Sequence, residues 1–193
     1  MPDNEMTGDL FLFAGSKTST GVAPKLVSPA AILVERIREG DDDAFGEFYK
    51  MFAPMVHGIL LARVPRDEVD DIVQEVFISA YKNLESLREK NAVGGWLAMI
   101  ARNQATEFFR RTKQTEELTE AAGESNDSLA KANEILAAIR SCPDAYRETL
   151  VLRLVEGMTG PEIAERTGLT PDSVRVNLHR GMRLLRQKLG IEV

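Results

Sequence analysis

The stretch 159-TGPEIAERTGLTPDSVRVNLHRGMRLLRQKL-189 reads as a short helix, a tight turn and a second, basic helix. In the first helix Ile163 and Ala164 face inward. Gly168 supplies the positive φ that a sharp turn requires. Thr170 is placed to cap the second helix, and Pro171 suits its first turn, where no amide donor is needed. Val174, Leu178, Gly181, Met182, Leu185 and Leu189 then recur at helical spacing. The other faces carry Arg175, Asn177, His179, Arg180, Arg183, Arg186 and Lys188. A single apolar stripe with basic faces lets a helix pack on its own domain while reaching bases and phosphates in the major groove. The plainer alternative is a helical hairpin with a solvated charged face. The turn chemistry, the small Ala164 and the basic second helix together favour the helix-turn-helix.

Outward from this stretch, the 193-residue chain has room for one large or two small domains, and its 44% hydrophobic content is enough for real cores. Alternating Val/Ile/Thr runs are absent, so the expected class is all-α: two small helical domains joined by a flexible acidic linker. A single cysteine excludes an internal disulfide framework and fits a reducing, cytoplasmic setting. Apolar runs fall well short of the roughly 18–20 residues of a membrane span. Leu10–Ala14 lacks the preceding basic region of a signal peptide, so no direct membrane insertion is expected.

A net charge of −6 argues superficially against nucleic acid, but its distribution reverses that impression. Residues 88–113 carry six Lys/Arg against two acids, and residues 171–193 carry five against two. Residues 41–87 carry ten acids against four bases, and residues 114–141 six against two. Two basic islands in an acidic chain imply two nucleic-acid contacts, with acidic surface left for a basic protein partner.

Residues 1–27 are polar and aperiodic and read as a disordered tail. A first domain, residues 28–113, is expected to hold four helices. The first runs from Ser28-Pro29 to Gly40. The second is capped by Asp43 and turns Phe45, Phe48, Tyr49, Phe52, Val56, Ile59 and Leu60 inward, with a kink at Pro54. A third spans about 66–84, and a fourth about Trp96–Arg111 after a loop from Glu85 to Gly95. Residues 114–128 contain five acids and no base and read as a flexible linker. The second domain, 129–193, is expected to have helices near 129–140, 143–156, 159–167 and 171–189.

In the third helix Val69, Ile72, Val73, Val76, Phe77, Ala80, Tyr81 and Leu84 form the core stripe. The opposite face offers Asp70, Asp71, Gln74, Glu75 and Ile78. An apolar Ile78 ringed by charges reads either as a protein-docking anchor or as a stray exposed residue on a solvated face. In the fourth helix Trp96, Leu97, Ile100, Ala101, Ala105, Phe108 and Phe109 pack inward. Arg102, Asn103, Thr106 and Arg110 point outward, and the preceding loop adds Lys90 and Asn91. Such groups beside Gly94-Gly95 suit unpaired bases, which need edge contacts and backbone neutralisation. Trp96 is either a stacking platform or core; its place on the inner stripe favours core.

Enzymatic chemistry finds no support. His57 and His179 fall in different domains, and Cys142 abuts Pro143 and reads as a small buried hydrophobe. Neither a phosphate-cradling glycine loop nor a metal-spaced Cys/His set appears, so no cofactor and no metal are expected.

Three segments carry a family likeness. Asp67–Phe77 (DEVDDIVQEVF) resembles the core-polymerase-binding segment of bacterial sigma factors. Trp96–Asn103 (WLAMIARN) resembles their promoter-melting, −10-reading segment. Glu162–Glu165, Gly168–Thr170 and Ser173–Arg175, continuing through Arg180, resemble their −35-reading helix-turn-helix. With two domains and a short acidic linker, the chain is similar to the extracytoplasmic-function (ECF) subfamily of the sigma-70 family, over about residues 30–189. Val176 and Asn177 stand where many relatives carry a small polar residue and then a base, and Glu107 stands where Asp is usual.

The resemblance implies an alternative sigma factor with core RNA polymerase, promoter DNA and an anti-sigma factor as partners. It assigns Asp70, Asp71, Gln74, Glu75 and Ile78 to polymerase binding. It assigns Lys90, Asn91, Arg102, Asn103, Thr106 and Arg110 to the −10 strand, and Ser173, Arg175, Val176, Asn177, His179, Arg180 and Arg183 to the −35 element. It also implies that the linker occupies the polymerase's RNA path. The domains of the free or inhibited protein are then expected to close together over the docking face at Ile78. Two other readings stand beside it. A one-component regulator would bind duplex DNA without polymerase. A sigma mimic that titrates an anti-sigma factor would not need basic surfaces in both domains.

Overall fold

A computed structural model describes residues 27–115 and 127–191. The expected disordered tail and most of the expected linker lie outside those residues. Eight α-helices are described: α1 Pro29–Arg38, α2 Asp42–Leu61, α3 Val69–Asn83, α4 Val93–Thr115, α5 Asp127–Arg140, α6 Asp144–Leu154, α7 Gly160–Thr167 and α8 Pro171–Lys188. No strand occurs among the described residues. Helices α1–α4 form one bundle and α5–α8 a second, and the two pack on each other through α2 against α6 and α4 against α7.

Local chemistry sets the ends of these helices. The Ser28 hydroxyl accepts from the Ala31 amide, with Pro29 in the first turn of α1. At α2 the cap is Asp41 rather than Asp43: its carboxylate accepts from the Ala44 amide and is held by Arg36 Nε at 2.9 Å. Those two contacts keep the Asp41 carboxyl below its usual range, the amide bond being the larger cause. α2 continues through Pro54 as one element. α4 begins at Val93 rather than Trp96, so Gly94 and Gly95 lie in its first turn rather than in a loop, and it runs on to Thr115.

The first core is built on Phe48, Phe52, Val56, Ile59, Val73, Val76, Phe77, Leu97 and Ala101, all buried. Phe48 meets Phe52 at 4.8 Å between ring centroids and Phe77 edge-on at 6.2 Å. On the side of the second bundle the same continuous core takes in Ile139, Leu150, Leu152, Ile163, Val174 and Leu185.

The helix-turn-helix forms as its sequence dictates. Thr159 and Glu162 make a reciprocal capping box at α7. Gly168 closes α7 in the left-handed region at φ 74°, its amide donating to the Ala164 carbonyl. The Thr170 hydroxyl then caps α8 through the Ser173 amide at 3.1 Å. Replacing Thr159 with Ala removes one side of the box. The expected cost is about 1 kcal/mol, read by urea denaturation.

Candidate functional site

The α3 stripe buries Val69, Ile72, Val73, Val76, Phe77 and Ala80, which turns Asp71, Gln74, Glu75 and Ile78 outward. Ile78 is 54% exposed. It sits in an open groove with Phe45, Tyr49, Phe77 and Tyr81, rimmed by Asp42, Gln74 and Lys82. Tyr49 and Tyr81 were expected in the core and are instead exposed. Tyr49 leans its ring on the buried Phe77 at 4.5 Å and Tyr81 on the half-buried Phe45 at 5.0 Å, and both line the groove. A tyrosine's apolar body and polar tip suit a groove wall, and that was the signal available in the sequence. Among the other expected docking residues, Glu75 pairs with Arg111 of α4 at 3.1 Å. Asp70 faces a different depression, with His57 and Arg66, between the bundles.

Residues expected at the −10 strand divide into three groups. Asn103, Thr106 and Arg110 lie on the exposed side of α4, with Arg110 gripping Glu107 by two bonds of 2.7 and 2.9 Å. Lys90 is ion-paired with Glu35, further along α1, and the Asn91 side-chain oxygen Oδ1 accepts the Ser28 amide at 3.0 Å, so Asn91 braces the start of α1 and Lys90 its second half. Arg102 turns toward the second bundle and makes a two-pronged bond to Glu148, Nη2 to Oε1 at 2.6 Å and Nε to Oε2 at 3.1 Å. The expectation that Arg102 faces solvent is thereby corrected: an acid from the other domain holds it. Trp96 is half-buried against the core, as its stripe position favoured.

On α8, Arg175, Val176, His179 and Arg180 share one shallow exposed face. Arg175 there pairs with Asp172 at 3.3 Å. Arg183 and Arg186 rim a neighbouring apolar groove with Leu154, Leu178 and Met182. Asn177 is only partly exposed, while Ser173 is tied to Thr170 at the cap. Cys142 is buried, which pushes its thiol above the usual range.

The contact between the bundles was not legible beforehand. Arg140 of α5 donates to the Leu61 carbonyl at 2.9 Å and the Val64 carbonyl at 2.6 Å, satisfying acceptors at the end of α2. Arg166 donates to the Met51 carbonyl. Glu148 is held by Arg63 at 2.9 Å as well as by Arg102. Gly58 of α2 lets Leu152 approach closely. The interface leaves Ile78 open, so the expectation that closure covers the docking face is corrected. The surfaces that match are the small-residue side of α2 and the first turn of α4.

His57 Nδ1 lies 2.7 Å from Glu156 Oε1 across this interface. That bond raises the imidazole's proton affinity, with Glu156 the largest cause and Asp70 adding, against burial and Arg66. A raised histidine value gives closure a contribution that is complete below about pH 6.5 and fades as pH rises through the raised value. The interdomain separation should therefore grow between pH 6 and pH 8.5 in a two-label distance measurement, and His57→Gln should flatten the dependence.

Among the described residues no helix is long and apolar enough to cross a membrane. Comparison with known proteins agrees with the geometry. Residues 48–115 match the sigma-70 region 2 family and residues 132–185 the sigma-70 region 4 family. All three groups of candidate residues lie inside those two matches. The chain is 30% identical over 176 residues to the ECF RNA polymerase sigma-E factor of Haemophilus influenzae, covering 81% of this chain and 93% of that one. It is 30% identical to the RNA polymerase sigma factor CarQ of Myxococcus xanthus, covering 81% and 95%. It is 29% identical to the ECF RNA polymerase sigma factor SigW of Bacillus subtilis, covering 81% and 94%. Two solved structures share the fold. CnrH in complex with the cytosolic domain of CnrY has a TM-score of 0.60 at 21% identity, covering 85% of this chain and 99% of that one. The sigma factor RpoE in complex with the anti-sigma factor NepR, from Bartonella quintana, has 0.53 at 18%, covering 78% and 99%.

Proposed function

Since the chain belongs to the ECF RNA polymerase sigma factor family, we propose that it binds core RNA polymerase and directs it to its own promoters, acting in the cytoplasm under an anti-sigma factor. The observation that carries this reading is the pairing of two surfaces on one chain: an open aromatic groove around Ile78 and the exposed basic face of α8. The groove supplies an apolar anchor with a charged rim, the anatomy of a protein-docking site. The α8 face supplies the cations of Arg175 and Arg180 beside His179 at helical spacing, the anatomy of major-groove readout.

In this reading the groove between α2 and α3 docks on the polymerase through Tyr49 of α2 and Gln74, Ile78 and Tyr81 of α3, with Asp71 and Glu75 alongside. α8 enters the major groove at the −35 element. Arg175 and Asn177 reach base edges, while Arg180 and Arg183 sit at phosphates. The outer face of α4 with Asn103, Thr106 and Arg110 holds the non-template −10 strand, and Arg102 joins it once Glu148 lets go. Residues 114–128 run through the polymerase's RNA path. The polymerase performs the chemistry and this chain supplies recognition, so it is not itself an enzyme.

The test is affinity for reconstituted core polymerase, with duplex DNA alone as the comparison. Tight polymerase binding and weak duplex binding by the free chain are expected. Specific duplex binding with no affinity for polymerase would instead identify a one-component regulator.

A further inference from the structure

We propose that α1 positions the loop between α3 and α4, with Arg38 as its pin, and thereby sets Asn91 to read an unpaired base of the −10 strand. This rests on the reading of Lys90 and Asn91 as −10 contacts.

The loop is anchored at two apolar points. Leu87 and Val93 are buried, and the stretch from Arg88 to Ala92 stands out at the surface between them. A single 3-10 turn at Lys90–Ala92 is the regular structure within that stretch. So short a turn has poor hydrogen-bond geometry. Holding it in one conformation costs entropy, so a base reader placed on it needs support from outside.

α1 supplies that support at three places. Arg38 is its last residue. Its Nη2 donates to the Leu84 carbonyl at 2.7 Å and the Leu87 carbonyl at 2.6 Å, and lies 3.4 Å from the Glu85 carbonyl. A guanidinium has several donors in one plane, so it can gather carbonyls that converge where a helix ends. Glu35, one turn earlier, is ion-paired with Lys90. Ser28, at the N-cap, donates its amide to Asn91 Oδ1 at 3.0 Å. The end, middle and start of α1 thus meet the loop at Leu84–Leu87, at Lys90 and at Asn91 in turn. One rigid helix of about 15 Å runs antiparallel along the whole loop.

The Asn91 contact has a chemical consequence. A side-chain amide offers one acceptor oxygen and two donor hydrogens. The Ser28 amide is a donor, so it selects Oδ1 and leaves Nδ2 to serve an acceptor. Asn91 is exposed, and the edge of an unpaired base carries such acceptors in its ring nitrogens and carbonyl oxygens. Arg38 and Ser28 touch no base themselves. They hold the loop so that Nδ2 meets the base edge.

The experiment uses the full chain with core polymerase, on promoters that the parent holoenzyme selects from a random library. The templates are already unpaired across the −10 element, with each base in turn at each non-template position. Asn91→Ala, Arg38→Gln, Ser28→Pro and Ser28→Ala are compared with the parent. Ser28 sits at φ −71°, which proline adopts without strain. Ser28→Pro removes the amide donor together with the capping hydroxyl, and Ser28→Ala removes the hydroxyl alone. Asn91→Ala should lose about tenfold in base discrimination at one position. Arg38→Gln and Ser28→Pro should lose discrimination at that same position, and Ser28→Ala should keep it. All four should bind polymerase as the parent does. Arg38→Gln combined with Asn91→Ala should discriminate no worse than Asn91→Ala alone, because Arg38 acts through Asn91. Parent-like discrimination by folded Arg38→Gln and Ser28→Pro would overturn the proposal, and so would a loss spread evenly over all positions. Parent-like discrimination by Asn91→Ala would instead remove the −10 reading of Asn91, and the proposal with it.

Discussion

Ile78→Glu should abolish binding to core RNA polymerase and leave the melting temperature of the chain almost unchanged. The side chain is 54% exposed at the centre of an aromatic groove, so its removal opens no cavity in the fold. In a docked complex the same side chain would be desolvated among Phe45, Tyr49, Phe77 and Tyr81. A carboxylate placed there has no cation within the groove apart from Lys82 at its rim. Central anchors of this kind are worth about 2 kcal/mol or more, roughly a 30-fold loss of affinity. A buried carboxylate without a partner adds to that. The measurement is titration of labelled core polymerase with the variant. Unaltered affinity would move the docking face elsewhere.

Arg175→Ala should relax promoter choice at a single base pair, at a cost of roughly 1–3 kcal/mol. Arg175 is exposed beside Val176, His179 and Arg180 near the N-terminal end of α8, the end that approaches base edges in helix-turn-helix docking. Its partner in the free chain is Asp172 at 3.3 Å, an exposed pair that DNA can replace at little cost. Arg183, two turns further on, rims a different groove and belongs with phosphates. Arg183→Ala should weaken all sequences about equally and lower the salt slope by about one. A uniform loss on Arg175→Ala across a panel of single-base promoter variants would reverse this sorting of base and phosphate contacts.

What could be read from residue order alone follows the range of the interactions. The helix-turn-helix was legible because its signals are local. Thr159, Glu162, Gly168 and Thr170 each act within a few residues, and each takes the expected role. The α3 stripe was legible for the same reason, down to Ile78 standing out of it. The errors begin where a second element decides. Tyr49 and Tyr81 have the right period for core, but the groove between α2 and α3 is wide enough to leave them at its wall. Asp41, not Asp43, caps α2 because Arg36 reaches across from α1 to hold it. Gly94 and Gly95 read as a loop because their helix propensity is poor; they lie in the first turn of α4, where the end of α7 packs against them. The bonds joining Arg102 to Glu148 and Arg140 to Leu61 span 46 and 79 residues, and no periodicity announces them. The site residues were thus found helix by helix. Their state in the free chain is a property of the packed pair.

The most direct test of the central claim is run-off transcription with core polymerase, the purified chain and a template library from its own genome. Discrete transcripts that require the chain, start a fixed distance from a shared pair of upstream elements and vanish with Ile78→Glu are the predicted result. Specific duplex binding by the chain alone, with no transcript above that of core polymerase, would contradict it.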